Sequence, residues 1–262
     1  MKITKAIVAV DDNPLFNECW NLIAKGWRNI GGIETIIVSV GNQNIKCQDA
    51  QIIHFNSIPG IPNSFVAQVI RFIIPVYFQE DVCILSDIDM LPLSKKYFVD
   101  DLKKYDSESL VVLSSDAYKV DDKFPICYFA SKGKNYQKLI ELHDTSINGI
   151  KNFIIELYNL KLGWVTDEMF LGKCIKENKA NVEIHLLCRC SKFPFHYSRI
   201  DRSNWRINKI RLVKNNYIDA HLLRPINQYQ KELELLFLYI KYNNNGYKSL
   251  IMFILKFVTK TR

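Results

Sequence analysis

Over roughly the first 120 residues, short apolar runs alternate with segments of helical spacing. "AIVAV", residues 6–10, is a continuous apolar run that reads as a buried strand. "DDNP" follows at once, with Pro14 suited to the first turn of a helix and Asn13 to its cap. In "PLFNECWNLIAKGW", Leu15, Cys19, Leu22 and Ile23 recur at helical spacing. "IETIIVSV", residues 33–40, and "QIIHF", residues 51–55, predict two more strands. "NSFVAQVIRFIIPVYF" predicts a helix opened by Asn63 or Ser64, with Phe65, Val69, Phe72, Ile73 and Val76 on one face; Pro75 should kink or end it. "VCILSDIDMLPL", residues 82–93, supplies a strand over Val82–Leu85, and "SLVVLSS", residues 109–115, another. Strands alternating with helices predict an α/β fold: a mostly parallel sheet flanked by helices on both sides.

Beyond residue 120 the pattern is less regular. "SINGIKNFIIELYNLKLGWVTDEMFLGKCIKEN" holds helical segments around "GWVTDE", and residues 228–262 read as helical, broken by "NNNG". No internal repeat or long linker divides the chain, so the expectation is one domain over residues 1–226 and a helical C-terminal appendage over 227–262. Apolar residues make up 48% of the 262, enough for a sizeable core, and charged residues 24%, which argues against disorder. The net charge of +8 suggests an anionic partner without choosing among phosphates, nucleic acid and acidic lipid. Seven cysteines, an odd number with no CxxC, fit a reducing cytoplasmic compartment; Cys188 and Cys190 read as two strand residues on one face. The N-terminal apolar run of five residues is too short for a signal peptide core, and no stretch approaches a membrane span.

Candidate chemistry gathers at strand ends. Asp11 and Asp12 follow the first strand, and Asp87 and Asp89 follow Val82–Leu85. In parallel α/β sheets ligands bind beyond the carboxyl ends of the strands. Two aspartates one residue apart can converge on one divalent cation, and their hard oxygens suit Mn²⁺ or Mg²⁺ shared with a diphosphate. A solvated turn, with the acids capping local amides, explains the same spacing. Arg71, on an otherwise apolar helix, fits either an ordinary salt bridge or a reach toward the acids or a ligand phosphate. Asp167 and Glu168 lie in apolar surroundings in "GWVTDEMFL", and His221 in "YIDAHLLRP" could join the two Asp in a metal set.

The order "VAVDDN", "VIRFIIPVYFQEDVCILSDIDMLPL", "CYFAS", "VTDEMFL", "DAHLLRP" resembles the GT-A glycosyltransferases over about residues 5–225, and in layout family 8, the retaining type that includes glycogenin and bacterial lipopolysaccharide galactosyltransferases. The resemblance implies the GT-A fold and a metal-dependent transfer of sugar from a nucleotide-diphosphate donor (a UDP- or GDP-sugar) to a glycan or lipid-linked acceptor, with retention. It implies that Asp87, Asp89 and His221 hold Mn²⁺ or Mg²⁺. Val10, Asp11, Asp12, Arg71, Ser86, Asp87 and Asp89 would bind the donor, and Asp167 or Glu168 would act beside the anomeric carbon. The chain departs from that layout in "CYFAS", in Asp-Glu where Asp-Gln-Asp is usual, and in "HLLRP", which lacks the usual Gly and Trp.

Basic help for the departing diphosphate would come from Lys192, Arg199, Arg202 and Arg206, in a segment, 189–224, with nine Lys or Arg and two acids. Asp167 would be a general base for inversion, or shield or attack the anomeric carbon for retention. Two rival readings remain. One is a basic nucleic-acid-binding protein using that segment with Phe195, Tyr197 and Trp205, although no known motif of that kind is present. The other is a sugar nucleotidyltransferase, although "AVDDNPLF" lacks the glycine-rich loop that class uses. Residues 241–262 carry five basic residues and no acid; after Gly246 an apolar face at helical spacing predicts a helix for an anionic membrane surface, which would hold the enzyme peripherally.

Overall fold

The computed structural model describes residues 1–118, 123–188, 198–205, 207–208, 211–212 and 217–243. Strand β1 (Lys5–Val10) is central and apolar on both faces: Ala6, Val8 and Val10 join one core, Ile7 and Ala9 the other. A buried strand of this kind needs no polar alternation. After β1, Pro14–Phe16 forms a separate 3₁₀ turn capped by the Asn13 side chain, which accepts from the Leu15 N–H. Helix α1 therefore starts at Cys19, later than the apolar spacing predicts, and runs to Gly31. Gly32 ends it at φ 65°, the left-handed conformation that glycine adopts without a Cβ penalty.

Strands β2 (Glu34–Val40) and β3 (Ala50–Phe55) extend the sheet from β1, all parallel. Helix α2 (Asn63–Ile73) returns the chain, and its α-helical pattern stops just before Pro75, as a residue without an N–H requires; Ile74–Tyr77 continues as a 3₁₀ turn. Asn63 does not cap it. Its side chain instead donates to Asp12 Oδ2 at 3.3 Å. Strand β4 (Val82–Leu85) pairs parallel with β1 on the other side.

Strand β6 (Leu110–Val112) is shorter than the apolar run around it, and β7 (Phe129–Lys132) is a strand within "CYFAS". The sheet order is β3-β2-β1-β4-β7-β6-β8, with β8 at Ile184–Leu186. Four of its six pairings are parallel, and β7 runs against both neighbours. Cys188 lies beyond β8 and is exposed, and Cys190 is outside the described residues.

One face of the sheet packs on α2, α3 (Gly133–Leu139), α4 (Ile147–Asn159) and α5 (Thr166–Glu177), through side chains such as Phe72, Tyr136, Ile154 and Leu171. The other packs on α1 and α6 (Gln230–Asn243) and on a second sheet of β5 (Met90–Pro92), β10 (Tyr217–His221) and β9 (Ser198–Ile200). Trp27, Phe98 and Tyr128 meet edge to face at the centre of this second layer. Among the described residues no helix is long and apolar enough to cross a membrane. The basic amphipathic helix expected after Gly246 lies outside them.

Candidate functional site

A cleft of about 280 Å³ opens at the carboxyl ends of β1 and β4, lined among others by Val10, Asp11, Arg71, Asp87, Asp89, Asp167 and His221. Three pieces of local structure bring these together. Strand β4 ends at Leu85, so Ser86 and Asp87 leave the sheet edge beside β1; the Ser86 N–H still bonds Ile7 O at 3.0 Å. Antiparallel pairing of β5 with β10 sets Met90 opposite His221, and the Leu222 N–H donates to Asp89 O at 2.8 Å. This register brings Asp89 to a histidine 132 residues away. The third piece is α2, which carries Gln68 and Arg71 one turn apart and therefore on one face.

On one wall, Arg71 is 8% exposed and serves four acceptors. It donates to Gln68 O at 3.2 Å, Ser86 O at 3.4 Å, Asp167 Oδ2 at 3.1 Å and Asp87 Oδ1. Asp167 is 2% exposed and also accepts from Gln68 Nε2 at 3.0 Å. Burial, the largest influence, pushes its carboxyl up to about 6 against the pull of the Arg71 charge. Glu168 turns away to Lys123 Nζ, 2.9 Å, and to the Tyr118 hydroxyl. The two neighbouring acids thus differ in setting: Asp167 is sealed into the wall, while Glu168 belongs to an ion pair at the mouth.

On the other wall, Asp89 Oδ2 accepts from Arg224, contacts His221 Nε2 at 3.1 Å and lies 3.4 Å from Arg202 Nη1. Burial alone would raise this carboxyl, but His221 and Arg224 outweigh it and hold it at about 2. Arg224 also lies over the Phe16 ring at 4.2 Å, and its Nε is buried without a hydrogen-bond partner among the described residues.

The two acids of the D-x-D therefore face different partners, Asp87 toward Arg71 and Asp89 toward the basic trio. Among the described residues no group of three or more His, Cys, Asp or Glu side chains gathers as a metal site. Asp12 is exposed, bonded to Asn63 and not among the residues lining the cleft, and Ser86 is buried with its carbonyl on Arg71. Arg199 turns inward to form a two-pronged pair with buried Asp219, at 2.9 and 2.8 Å, and Tyr128 donates to the same carboxylate. Arg199 thus points into the fold, whereas Arg202 is exposed and lines the cleft beside Asp89. Lys192, Phe195, Tyr197 and Arg206 lie outside the described residues. Sequence reasoning missed Gln68, Lys123, Tyr118 and Trp164. Gln68 carried a readable signal, a second polar residue one turn before Arg71 on an apolar helix, whereas the other three depend on loop paths.

No family model matches this chain, and no curated protein matches it. Among solved structures, its fold is similar to the galactosyltransferase LgtC in complex with donor and acceptor sugar analogs, at 13% identity over 83% of this chain and 86% of that one, TM-score 0.46. It is also similar to the glycosyltransferase GlyE of Streptococcus pneumoniae TIGR4, at 11% identity over all of this chain and 64% of that one, TM-score 0.49. A third similarity is to a glycosyltransferase involved in the glycosylation of the major capsid of PBCV-1, at 7% identity over 88% and 99%, TM-score 0.43.

Proposed function

We propose that the protein is a glycosyltransferase of GT-A type that moves a sugar from a UDP- or GDP-sugar to a glycan or lipid-linked acceptor, with retention. The observation that carries this reading is the polarity of one cleft. Arg202, His221 and Arg224 surround Asp89 on one wall, and a buried carboxylate with a raised pKa, Asp167, stands on the other. The first suits a diphosphate, the second a sugar whose anomeric carbon gains positive charge as the diphosphate leaves.

In this mechanism the chain's own groups do the following. The unpartnered Nε of Arg224 donates to a phosphate oxygen, and Arg202 adds a second cation as charge accumulates on the leaving group. Val10 and Asp11, at the end of β1, line the cleft and would border the nucleoside, with Asp12 next to them in sequence. Arg71 orients Asp87 and Asp167 together, and Asp167, ionised at neutral pH, faces the anomeric carbon. Glu168, tied to Lys123, borders the acceptor side with Trp164, whose 73% exposure leaves the indole open to an incoming sugar ring. The donor chemistry of Asp87, Asp89 and His221, carboxylate oxygens with an imidazole, suits Mn²⁺ or Mg²⁺; Asp89 and His221 are in contact, and Asp87 would have to turn from Arg71 to complete the set. Such an ion, when bound, neutralises diphosphate charge. The membrane-surface role of residues 241–262 belongs to the same proposal, serving a lipid-linked acceptor.

The test is a thermal-shift screen of UDP- and GDP-sugars with and without Mn²⁺. A ligand that binds only the folded state raises the melting temperature. The expected outcome is a shift by one nucleotide sugar that grows with Mn²⁺. A screen in which none raises it, while oligonucleotides bind with steep salt dependence, would favour the nucleic-acid reading instead.

A further inference from the structure

Gln68 is 6% exposed and lines the cleft between Arg71 and Asp167. Its amide orientation is determined by its neighbours. Nε2 donates to Asp167 Oδ1 at 3.0 Å and to the Trp164 carbonyl. Both are acceptors, so an amide turned the other way would set oxygen against oxygen. Oε1 is therefore the remaining atom, and it is buried with no hydrogen-bond partner among the described residues. A buried carbonyl without a donor is a costly arrangement. Arg224 Nε is in the same condition on the opposite wall, but with opposite character: a donor where Gln68 offers an acceptor.

We propose that Gln68 is a specificity-determining residue, whose Oε1 accepts a hydrogen bond from one hydroxyl of the transferred sugar. The inference rests on the glycosyltransferase reading above and adds to it the group that selects the sugar. Three features favour a sugar hydroxyl as the partner. The neighbouring acceptors Asp167 and Asp87 already engage Arg71, so an ammonium or guanidinium would duplicate a cation that is present. A phosphate has no proton to give Oε1 at neutral pH and belongs with the cations across the cleft. A hydroxyl donates one proton, carries no charge and tolerates a position beside a carboxylate. Because Oε1 is shielded from water, a sugar lacking that hydroxyl leaves it bare, and discrimination follows from the missing partner.

The experiment measures dissociation constants by calorimetry, in Mn²⁺ buffer, for wild type and Gln68→Met. The probes are UDP, GDP, UDP-glucose, UDP-galactose and GDP-mannose, followed by the monodeoxy analogues of whichever sugar binds best. In wild type, one deoxy position should lose roughly tenfold to a hundredfold in affinity, the range for a single buried acceptor left without its donor. In Gln68→Met the parent sugar and that analogue should bind alike, while free UDP or GDP keeps its wild-type affinity and so reports an intact fold. If Gln68→Met retains the full preference at every position, or if no position discriminates in wild type, the inference is overturned and the transferase reading stands. If none of the nucleotide sugars binds wild type, the transferase reading fails and this inference falls with it.

Discussion

Asp89 and Asp167 are two carboxylates of one cleft pushed in opposite directions, to about 2 and about 6 from an ordinary 3.8. Each shift has a sign in stability. Asp89 has a lowered folded-state pKa, so its contribution is present above pH 3.8 and is lost as pH falls toward 2; at pH 7 it amounts to about 2 kcal/mol. Asp167 has a raised one, so stability is full below pH 3.8 and declines as pH rises through about 6, by about 3 kcal/mol. The same aspartate-to-asparagine change should therefore act oppositely at the two positions. At pH 8, Asp89→Asn should lower the melting temperature and abolish Mn²⁺-dependent UDP or GDP binding. Asp167→Asn should raise the melting temperature at pH 8 but not at pH 4, and should abolish turnover while donor affinity remains. Paired melts at the two pH values with calorimetry check both; equal melting behaviour of the two variants would refute the assignment of the walls. At this scale the sequence was legible where an acid followed an apolar run, as at Asp87 and Asp89. It was not legible for their partners, because the pairings of Asp89 with Arg224 and Asp167 with Gln68 are made across long loops of chain.

At the scale of elements, the apolar runs marked β1 to β4 and α2 well, because buried strands and a one-faced helix leave strong periodic traces. The start of α1 was misplaced because Asn13 caps a 3₁₀ turn, which uses the same cap chemistry as an α-helix. The reversed direction of β7 left no trace at all, since strand polarity in a sheet depends on the connections and not on the residues within the strand. The turn into α3 shows how tightly the elements fit. A Cβ on Gly133 would lie 2.1 Å from Pro75 O and 2.3 Å from Phe78 O, both main-chain atoms of the segment after α2. Gly133→Ala should destabilise by about 1–3 kcal/mol through overpacking, read as a lower midpoint in urea. Nucleotide binding below the transition should be unchanged, because Gly133 follows the strand end that pairs with Val82, opposite the cleft.

For the whole molecule, the α/β class and the carboxyl-end location of the cleft were both legible in the alternation of strands and helices. The second sheet was not, because β5, β9 and β10 are three to five residues each and too short to show a period. The C-terminal basic segment bears on location. A chain ending at Asn245 should sediment less with anionic vesicles than the full chain, with the difference erased by high salt. Equal sedimentation of the two would remove the membrane surface from the proposal. The pairing of β5 with β10 has a consequence in time. Strands β1 to β4 meet within the first 85 residues, so that part of the sheet can form early during synthesis. Asp89 then waits until the ribosome has released residues beyond Arg224 before it gains His221 and its arginines. On a nascent chain the Asp89 wall of the cleft is thus among the last parts to assemble, and an interrupted translation product would expose an unfinished apolar face where β5 should be covered.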